Sequence, residues 1–328
     1  MAHVYRCQSA WKLVELEERF RLFQRLRPDT VVDLAAAPGG FSQVALQKMQ
    51  SRRDAAPPLV SPMVIAIDQR PIDPMPGLVV ARGNILQHQR ILETVRSAPL
   101  QHSSSPSPPT VTYMPSPARP ARRPRRCVDA VLHDGVSVVK GQHTFSVTYA
   151  QNQMALSTLL LAGKLFQQLG PTQDTIAEDI RSPQSRKSSQ TPARGSASPA
   201  MLPVCFVSKV LVSCHSPQVV AATRAMFRHV HTFKPPASRP ESLETYVVAT
   251  HFRLAEWERL CRPHRAASSP SAAALFSMPP APEDCDGVER LLWNCLGCGR
   301  TCVGVQPCAL CGSCTLAEGH SAGTRRTR

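Results

Sequence analysis

Short apolar runs alternate with segments of helical period along most of this chain, and that alternation restricts the fold more than any other feature. Residues 30–34, "MVIAID" (63–68), "GLVVAR" (77–82), "CVDAVLHD" (127–134), "VCFVSKVLV" (204–212) and "LETYVVATHF" (243–252) read as strands. Helices are predicted between them at residues 11–26, 41–50, 87–96, 149–169 and 218–227. In the first, Leu13, Leu16, Phe20 and Phe23 recur at helical spacing until Pro28 stops the run. Apolar strands alternating with helices predict an α/β fold. Its sheet is doubly wound, mostly parallel and Rossmann-like, with both faces covered.

Three stretches interrupt the pattern. Residues 97–126 contain "SSSPSPP" and end in "ARPARRPRR"; residues 171–200 are rich in Ser, Pro, Gln and Arg; residues 262–283 are rich in Pro, Ala and Ser. Such compositions bury too little apolar surface to offset the entropy of ordering. The expected organisation is one domain over residues 1–254, with low-complexity insertions at about 97–126 and 171–200. A linker (255–290), a Cys-rich module (291–316) and a basic tail (317–328) complete it.

The net charge of +15 favours an anionic partner, nucleic acid before an acidic membrane; a basic disordered tail is the alternative. No run approaches the ~20 apolar residues of a membrane span, so no membrane association is expected. The N-terminus lacks the apolar core of a signal peptide, and the cysteines are therefore expected as thiols or metal ligands rather than disulfides. Only 17 residues are aromatic, which leaves little for a base-stacking platform, so shape and phosphate contacts are the expected mode of recognition. The "ARPARRPRR" run reads as a nuclear address, an RNA-phosphate contact or a solubilising loop.

The turn in "VVDLAAAPGGFSQVA" (residues 31–45) is made of small residues, which let a ligand approach the backbone closely. Asp33 closes the first strand, and Gly39 and Gly40 lead into a helix. In such a sheet, ligands sit outside the carboxyl ends of the strands. The spacing matches neither GxGxxG nor the P-loop, and suits a ligand with an amino-acid end better than a pyrophosphate. Asp68, ending the second strand, is placed to accept from ribose hydroxyls. An ordinary strand-turn-helix corner would look the same.

"SAWKL", "VVDLAAAPGGFSQVA", "VIAIDQRPIDP", "DAVLHDG", "FVSKV" and "KPPASRPESLETYVV" occur in that order over residues 3 to 254. Together they resemble the FtsJ family of RNA ribose 2'-O-methyltransferases, and "LHDG" with the "KPxASR" run is most similar to its eukaryotic pre-ribosomal branch. The resemblance implies S-adenosylmethionine as cofactor and RNA, ribosomal or its precursor, as substrate. It also implies a nuclear, nucleolar location, with ribosome assembly proteins as possible company. Transfer RNA and the mRNA cap are the alternative substrates, cytoplasm or mitochondrion the alternative compartments. A catalytically silent RNA-binding assembly factor is the alternative function.

The resemblance places a catalytic tetrad on Lys12, Asp134, Lys209 and Glu244. In it Lys209 takes or polarises the 2'-hydroxyl proton, Asp134 and Glu244 orient it, and Lys12 holds substrate or balances charge. A lysine can serve where an arginine cannot, because arginine stays charged. Only seven of the 38 basic residues are lysines, so their retention at positions 12 and 209 is suggestive. Lys209 could otherwise be an edge-strand lysine that blocks aggregation, and Lys12 and Glu244 could be exposed charges. For the cofactor the resemblance points to Gly39, Phe41, Asp68, Asn84 and Asp134. The chain departs from the family in three places: Phe41 replaces a tryptophan, Asn84 replaces an aspartate that receives the adenine amino group, and Val136–Ser137–Val138 replaces Ala-Pro-Asn.

Within "WNCLGCGRTCVGVQPCALCGSC", Cys295/Cys298 and Cys308/Cys311 form two CxxC knuckles, enough for a tetrahedral zinc. Cys302 and Cys314 are spare ligands. The segment resembles the Ran-binding-protein type of zinc finger, which binds single-stranded RNA or ubiquitin. It departs from that type at Cys302, usually asparagine, and by one residue fewer before the second knuckle.

Overall fold

The computed structural model describes residues 5–51, 62–101, 127–136, 144–172, 201–261, 275–276, 292–294 and 301–303. Helices α1 (Ser9–Phe20) and α2 (Leu22–Leu26) precede β1 (Thr30–Leu34), α3 (Gly40–Gln50), β2 (Met63–Asp68), β3 (Leu78–Arg82) and α4 (His88–Gln101). There follow β4 (Ala130–His133), α5 (Thr144–Leu169), β5 (Met201–Leu211), α6 (Ser216–Met226), β6 (Phe227–Phe233), β7 (Glu244–Arg253) and α7 (Leu254–Cys261).

One seven-stranded sheet has the order β3-β2-β1-β4-β5-β7-β6. The first five strands in that order are parallel, while β7 is antiparallel to both β5 and β6. Every residue of β1 and β2 is buried, as expected of strands covered on both faces. One core packs α4, α5, α6 and α7 against one face, with Leu156, Leu165, Phe206 and Trp257 at its centre. The other packs α1 to α3 on the opposite face, through Leu13, Phe23, Phe41 and Met49. The chain leaves β1 towards β2 and β3, then crosses back to β4 on the other side. The crevice between the ends of β1 and β4 is thus the topological switch point, where the fold leaves room for a ligand.

Four elements differ from the sequence expectation. Helix α4 continues to Gln101, with Ala98 buried, where residues 97–126 were read as an insertion. Strand β6 begins at Phe227, where a helix was expected to end. Its sequence FRHVHTF hides a strand because, as an edge, it buries little besides Phe227. Helix α7 lies in the expected linker and buries Trp257, whose indole N–H donates to Gln167 Oε1 at 3.0 Å. Trp257 packs against Gly163, where a Cβ would lie 2.7 Å from its ring, so no larger residue fits there. Finally, a short hairpin of β8 (Leu292–Asn294) and β9 (Thr301–Val303) lies within the Cys-rich module, pairing Trp293 with Cys302.

The rest of both insertions, Ser137, Val138 and the four expected zinc ligands Cys295, Cys298, Cys308 and Cys311 lie outside the described residues. Among the described residues no group of His, Cys, Asp and Glu is arranged to hold a metal. No helix among them is long and apolar enough to cross a membrane.

Candidate active site

Four elements deliver the tetrad. Lys12 lies in the first turn of α1, Asp134 follows β4, Lys209 is near the end of β5 and Glu244 opens β7. Because β7 runs antiparallel to β5, with Lys209 opposite Tyr246 and Leu211 opposite Glu244, the start of β7 meets the end of β5. Lys209 Nζ is 3.0 Å from Asp134 Oδ1 and also donates to the Asp134 carbonyl at 2.7 Å. Lys12 Nζ is 2.5 Å from Glu244 Oε1. Strand β5 lies between β4 and β7, and the Lys209 side chain is only 5% exposed, so the edge-strand reading of this lysine fails. Burying an ammonium there is unfavourable without the carboxylate and carbonyl that face it.

Tyr246 joins the two pairs. Its hydroxyl donates to Asp134 Oδ1 at 2.5 Å, with Glu244 Oε1 at 3.0 Å as second acceptor. The result is a continuous chain Lys12–Glu244–Tyr246–Asp134–Lys209. Burial, reinforced by the two carboxylates, holds the Tyr246 phenol well above its ordinary pKa, so it remains a donor. Burial opposes ionisation of Glu244, but Lys12, Lys209 and the Tyr246 hydroxyl outweigh it and lower its pKa. Ser238 Oγ donates to the same Oε1 at 3.1 Å. Sequence reasoning passed over Tyr246, although the strand period held the signal: it stands two residues after Glu244, on the same face of β7.

Beneath this chain, His133 Nδ1 and Ser208 Oγ are 2.9 Å apart and tie β4 to β5 directly under Asp134 and Lys209. Burial and the nearby Lys209 push His133 down to about 3, which keeps the imidazole neutral. Gly135 rests on this ring: a Cβ there would lie 2.7 Å from His133 Nε2 and 2.6 Å from Ala35 Cβ.

Of the candidate cofactor residues, Asp33, Gly39, Gly40, Phe41, Asp68 and Asp134 lie at or just beyond the ends of β1, β2 and β4, around the switch point, while Asn84 follows β3, further along the sheet. Gly39 caps α3 in the left-handed region (φ 104°), and a Cβ there would press on Arg6 Nη1 and Ile72. Gly40 leaves no room for a Cβ against Cys7 Sγ. Arg6, which sequence reasoning also missed, ties the Gly39 turn to the next loop by donating to the carbonyls of Pro38, Asp73 and Pro74. Phe41 is buried and stacks on Tyr246 with centroids 6.1 Å apart, so it floors the tetrad. Asp68 accepts from the Ala37 and Arg70 backbone N–H groups at 2.9 and 2.8 Å, holding the turn after β1 against the loop after β2. The Arg70 side chain also covers both oxygens, Nε on Oδ1 and Nη2 on Oδ2, each at 3.4 Å, so a ribose reaches Asp68 by displacing this exposed guanidinium.

Asn84 follows β3 and is anchored by its own turn. Its Oδ1 accepts from the Leu86 N–H at 3.0 Å and keeps a second lone pair, so the amide presents an acceptor as well as its NH₂ to a cleft of about 440 Å³ lined by Arg82, Gly83 and Gln87. Asp33 is 1% exposed. Ser42 Oγ donates to its Oδ2 at 2.6 Å, while Oδ1 has no partner among the described residues. Burial, with Asp134 and Asp68 nearby, pushes Asp33 up to about 7. A buried carboxyl with one orphaned oxygen, flanked by two further acids, fits a cationic ligand group.

The FtsJ-like methyltransferase family model matches residues 5–252, more than half of the chain. The chain belongs to this family. Among curated relatives, the pre-rRNA 2'-O-ribose RNA methyltransferase FTSJ3 of Rattus norvegicus is 28% identical over 76% of this chain and 21% of its own length. Ribosomal RNA large subunit methyltransferase E of Bartonella bacilliformis is 24% identical over 76% of this chain and 75% of its own. The mouse tRNA (cytidine(32)/guanosine(34)-2'-O)-methyltransferase is 27% identical over 74% of this chain and 54% of its own. The chain thus spans about a fifth of the rodent pre-rRNA enzyme and three quarters of the bacterial one.

Proposed function

We propose that this chain transfers a methyl group from S-adenosylmethionine to a ribose 2'-hydroxyl of RNA, with ribosomal RNA or its precursor as substrate. The observation that carries the reading is the unbroken Lys12–Glu244–Tyr246–Asp134–Lys209 chain beside the switch-point crevice. When bound, the cofactor supplies a methyl already activated on a sulfonium. Little is then left for the protein but to hold the hydroxyl in line and to receive its proton.

Lys209 Nζ takes or polarises that proton. Asp134 fixes Nζ through its side chain and its carbonyl, Tyr246 and Glu244 fix Asp134, and Lys12 balances Glu244. Asp33 and Asp68 hold the cationic and ribose parts of the cofactor, Asp68 once the exposed Arg70 side chain swings away, Gly39 and Gly40 allow the tight, closely packed turn that presents backbone groups to it, Phe41 supports the floor, and Asn84 meets the adenine side. Asn84 Oδ1 keeps a lone pair beside the Leu86 N–H, so both this oxygen and the NH₂ can meet the adenine edge.

Incubation of the protein with total RNA and labelled S-adenosylmethionine, beside Lys209→Ala, tests this directly. Label at 2'-hydroxyls with wild type only is expected, and label with neither removes the enzymatic reading. Mapping the labelled positions separates ribosomal RNA from tRNA, the substrate class named for the mouse relative. A ribosomal-precursor substrate carries with it a nucleolar location and the company of assembly proteins.

The same reading gives the Cys-rich module one zinc, held by Cys295, Cys298, Cys308 and Cys311 on the strength of their spacing. Elemental analysis should find one metal per chain, lost in Cys295→Ser/Cys308→Ser.

A further inference from the structure

A second surface lies away from the tetrad, at the edge of the sheet. Phe233, His231 and His229 alternate along β6, so their side chains share one face of the edge strand. The face is that of α1, because their partners on β7 are Tyr246, Val248 and Thr250. Phe20, at the end of α1, closes the row: its ring is 5.5 Å from His231 and 5.7 Å from Phe233. His251 stands edge-on to His229 at 5.2 Å. Phe20, His229, His231 and His251 border a cleft of about 270 Å³ that Arg25 also lines, while Phe233 packs partly buried against the α1-side core beside it. No carboxylate among the described residues lines it.

The backbone departs from regularity at this point. His251 has φ 63°, a conformation uncommon for a residue with a side chain and costing of order 1 kcal/mol or more. Ala249 and Phe252, which strict alternation would send to opposite faces, both enter the α5-side core. The switch occurs at Thr250–His251 and leaves both residues along the cleft. A regular strand would have aimed one of them elsewhere.

The row also has a direction. Phe233 pairs with Tyr246, the central member of the tetrad chain, and His229 lies four residues back along β6, about 13 Å away. Helix α1 spans the same interval, from Lys12 at the tetrad to Phe20 at the row, about 12 Å. Imidazole and phenyl faces beside an arginine are what unpaired RNA bases stack on, and stacking tolerates any base. A chain carrying +15 charge supplies the phosphate attraction that such binding needs.

We propose that the Phe20/His229/His231/Phe233/His251 row with Arg25 is a binding track for single-stranded RNA that leads along the edge strand to the tetrad. The track rests on the reading of RNA as substrate. It also revises the expectation from composition that stacking would be minor, since three of its five rings are histidines.

The test is fluorescence anisotropy of a labelled oligouridylate with the full chain and with His229→Ala/His231→Ala, both exposed positions outside the tetrad and the cofactor crevice. The double variant should bind at least about tenfold more weakly, as expected for lost stacking. Its affinity for S-adenosylmethionine by calorimetry should be unchanged, which shows that the fold persists. Arg25→Gln should lower the slope of log affinity against log salt by about 1. Unchanged RNA affinity in the double variant overturns the track and leaves the face to a protein partner. RNA binding that falls as expected, in a wild type that transfers no methyl group, keeps the track and removes the catalytic reading instead.

Discussion

Tyr246→Phe removes one oxygen from the centre of the site and nothing else. The ring is fully buried and stacks on Phe41, so the phenylalanine keeps the packing and the change isolates the hydroxyl. That hydroxyl is shared by Asp134 Oδ1 at 2.5 Å and Glu244 Oε1 at 3.0 Å. A hydrogen bond to a charged group contributes about 1.5–3 kcal/mol, and both carboxylates keep a lysine when it is lost, so the loss should stay within that range. For a domain of this size, about 2–4 °C of Tm per kcal/mol translates it into a fall of ~3–12 °C by differential scanning calorimetry. If the hydroxyl serves chiefly to hold Asp134 against Lys209 as the methyl moves, the same energy lowers kcat about 10- to 100-fold. KM for RNA should change little, and Tyr246→Leu, which also loses the ring, should lose far more stability. A phenylalanine variant with wild-type kcat and Tm would refute the idea that the five residues act as one chain.

Three further outcomes follow from the same geometry. Asp33 has its folded pKa raised to about 7 from an ordinary 3.8, so between those values the folded state binds the extra proton and stability falls as pH rises. Relative to Asp33→Asn, wild type should lose up to about 1.4 kcal/mol per pH unit across that window, read from Tm at successive pH values. Glu244 has the opposite sign: its folded pKa is lowered, so its contribution is present above its ordinary value of 4.5 and disappears as pH falls below it. Glu244→Gln should therefore be less stable than wild type by about 1–3 kcal/mol at neutral pH, with the gap closing below pH ~4.5. Gly40→Ala should be destabilised by about 1–3 kcal/mol, because its methyl meets Cys7 Sγ and, at 3.3 Å, the Ala10 backbone; a chemical-denaturation midpoint equal to wild type would refute the close packing.

Some of this protein was legible in its sequence for local reasons. The central strands are buried on both faces, and such strands announce themselves as continuous apolar runs: residues 30–34 and 63–68 coincide with β1 and β2. The Ala-Pro-Gly-Gly turn was legible because left-handed and crowded backbone admits little else, as Gly39 and Gly40 confirm by what a Cβ would meet. The motif order pointed to Lys12, Asp134, Lys209 and Glu244, which the fold then brought together.

What stayed hidden depends on contacts between distant segments. Strand β6 is paired on one side only and carries three polar or charged residues in its first five, so its pattern fits no buried-strand template. Tyr246 looks like one more β-forming aromatic until β7, running antiparallel, places its hydroxyl between an acid 112 residues away and one two residues away. Asp68 kept the right oxygens for its expected role, yet the Ala37 N–H and the Arg70 backbone and guanidinium cover both of them. The sequence by itself determined the layered α/β architecture and the chemical types at the site, because burial and backbone conformation select residues locally. Only the tertiary structure decided which charges meet, which oxygen is shared and which is orphaned, and where an edge row of rings leads, because electrostatic pairing acts over a few ångströms between segments that the chain itself keeps far apart.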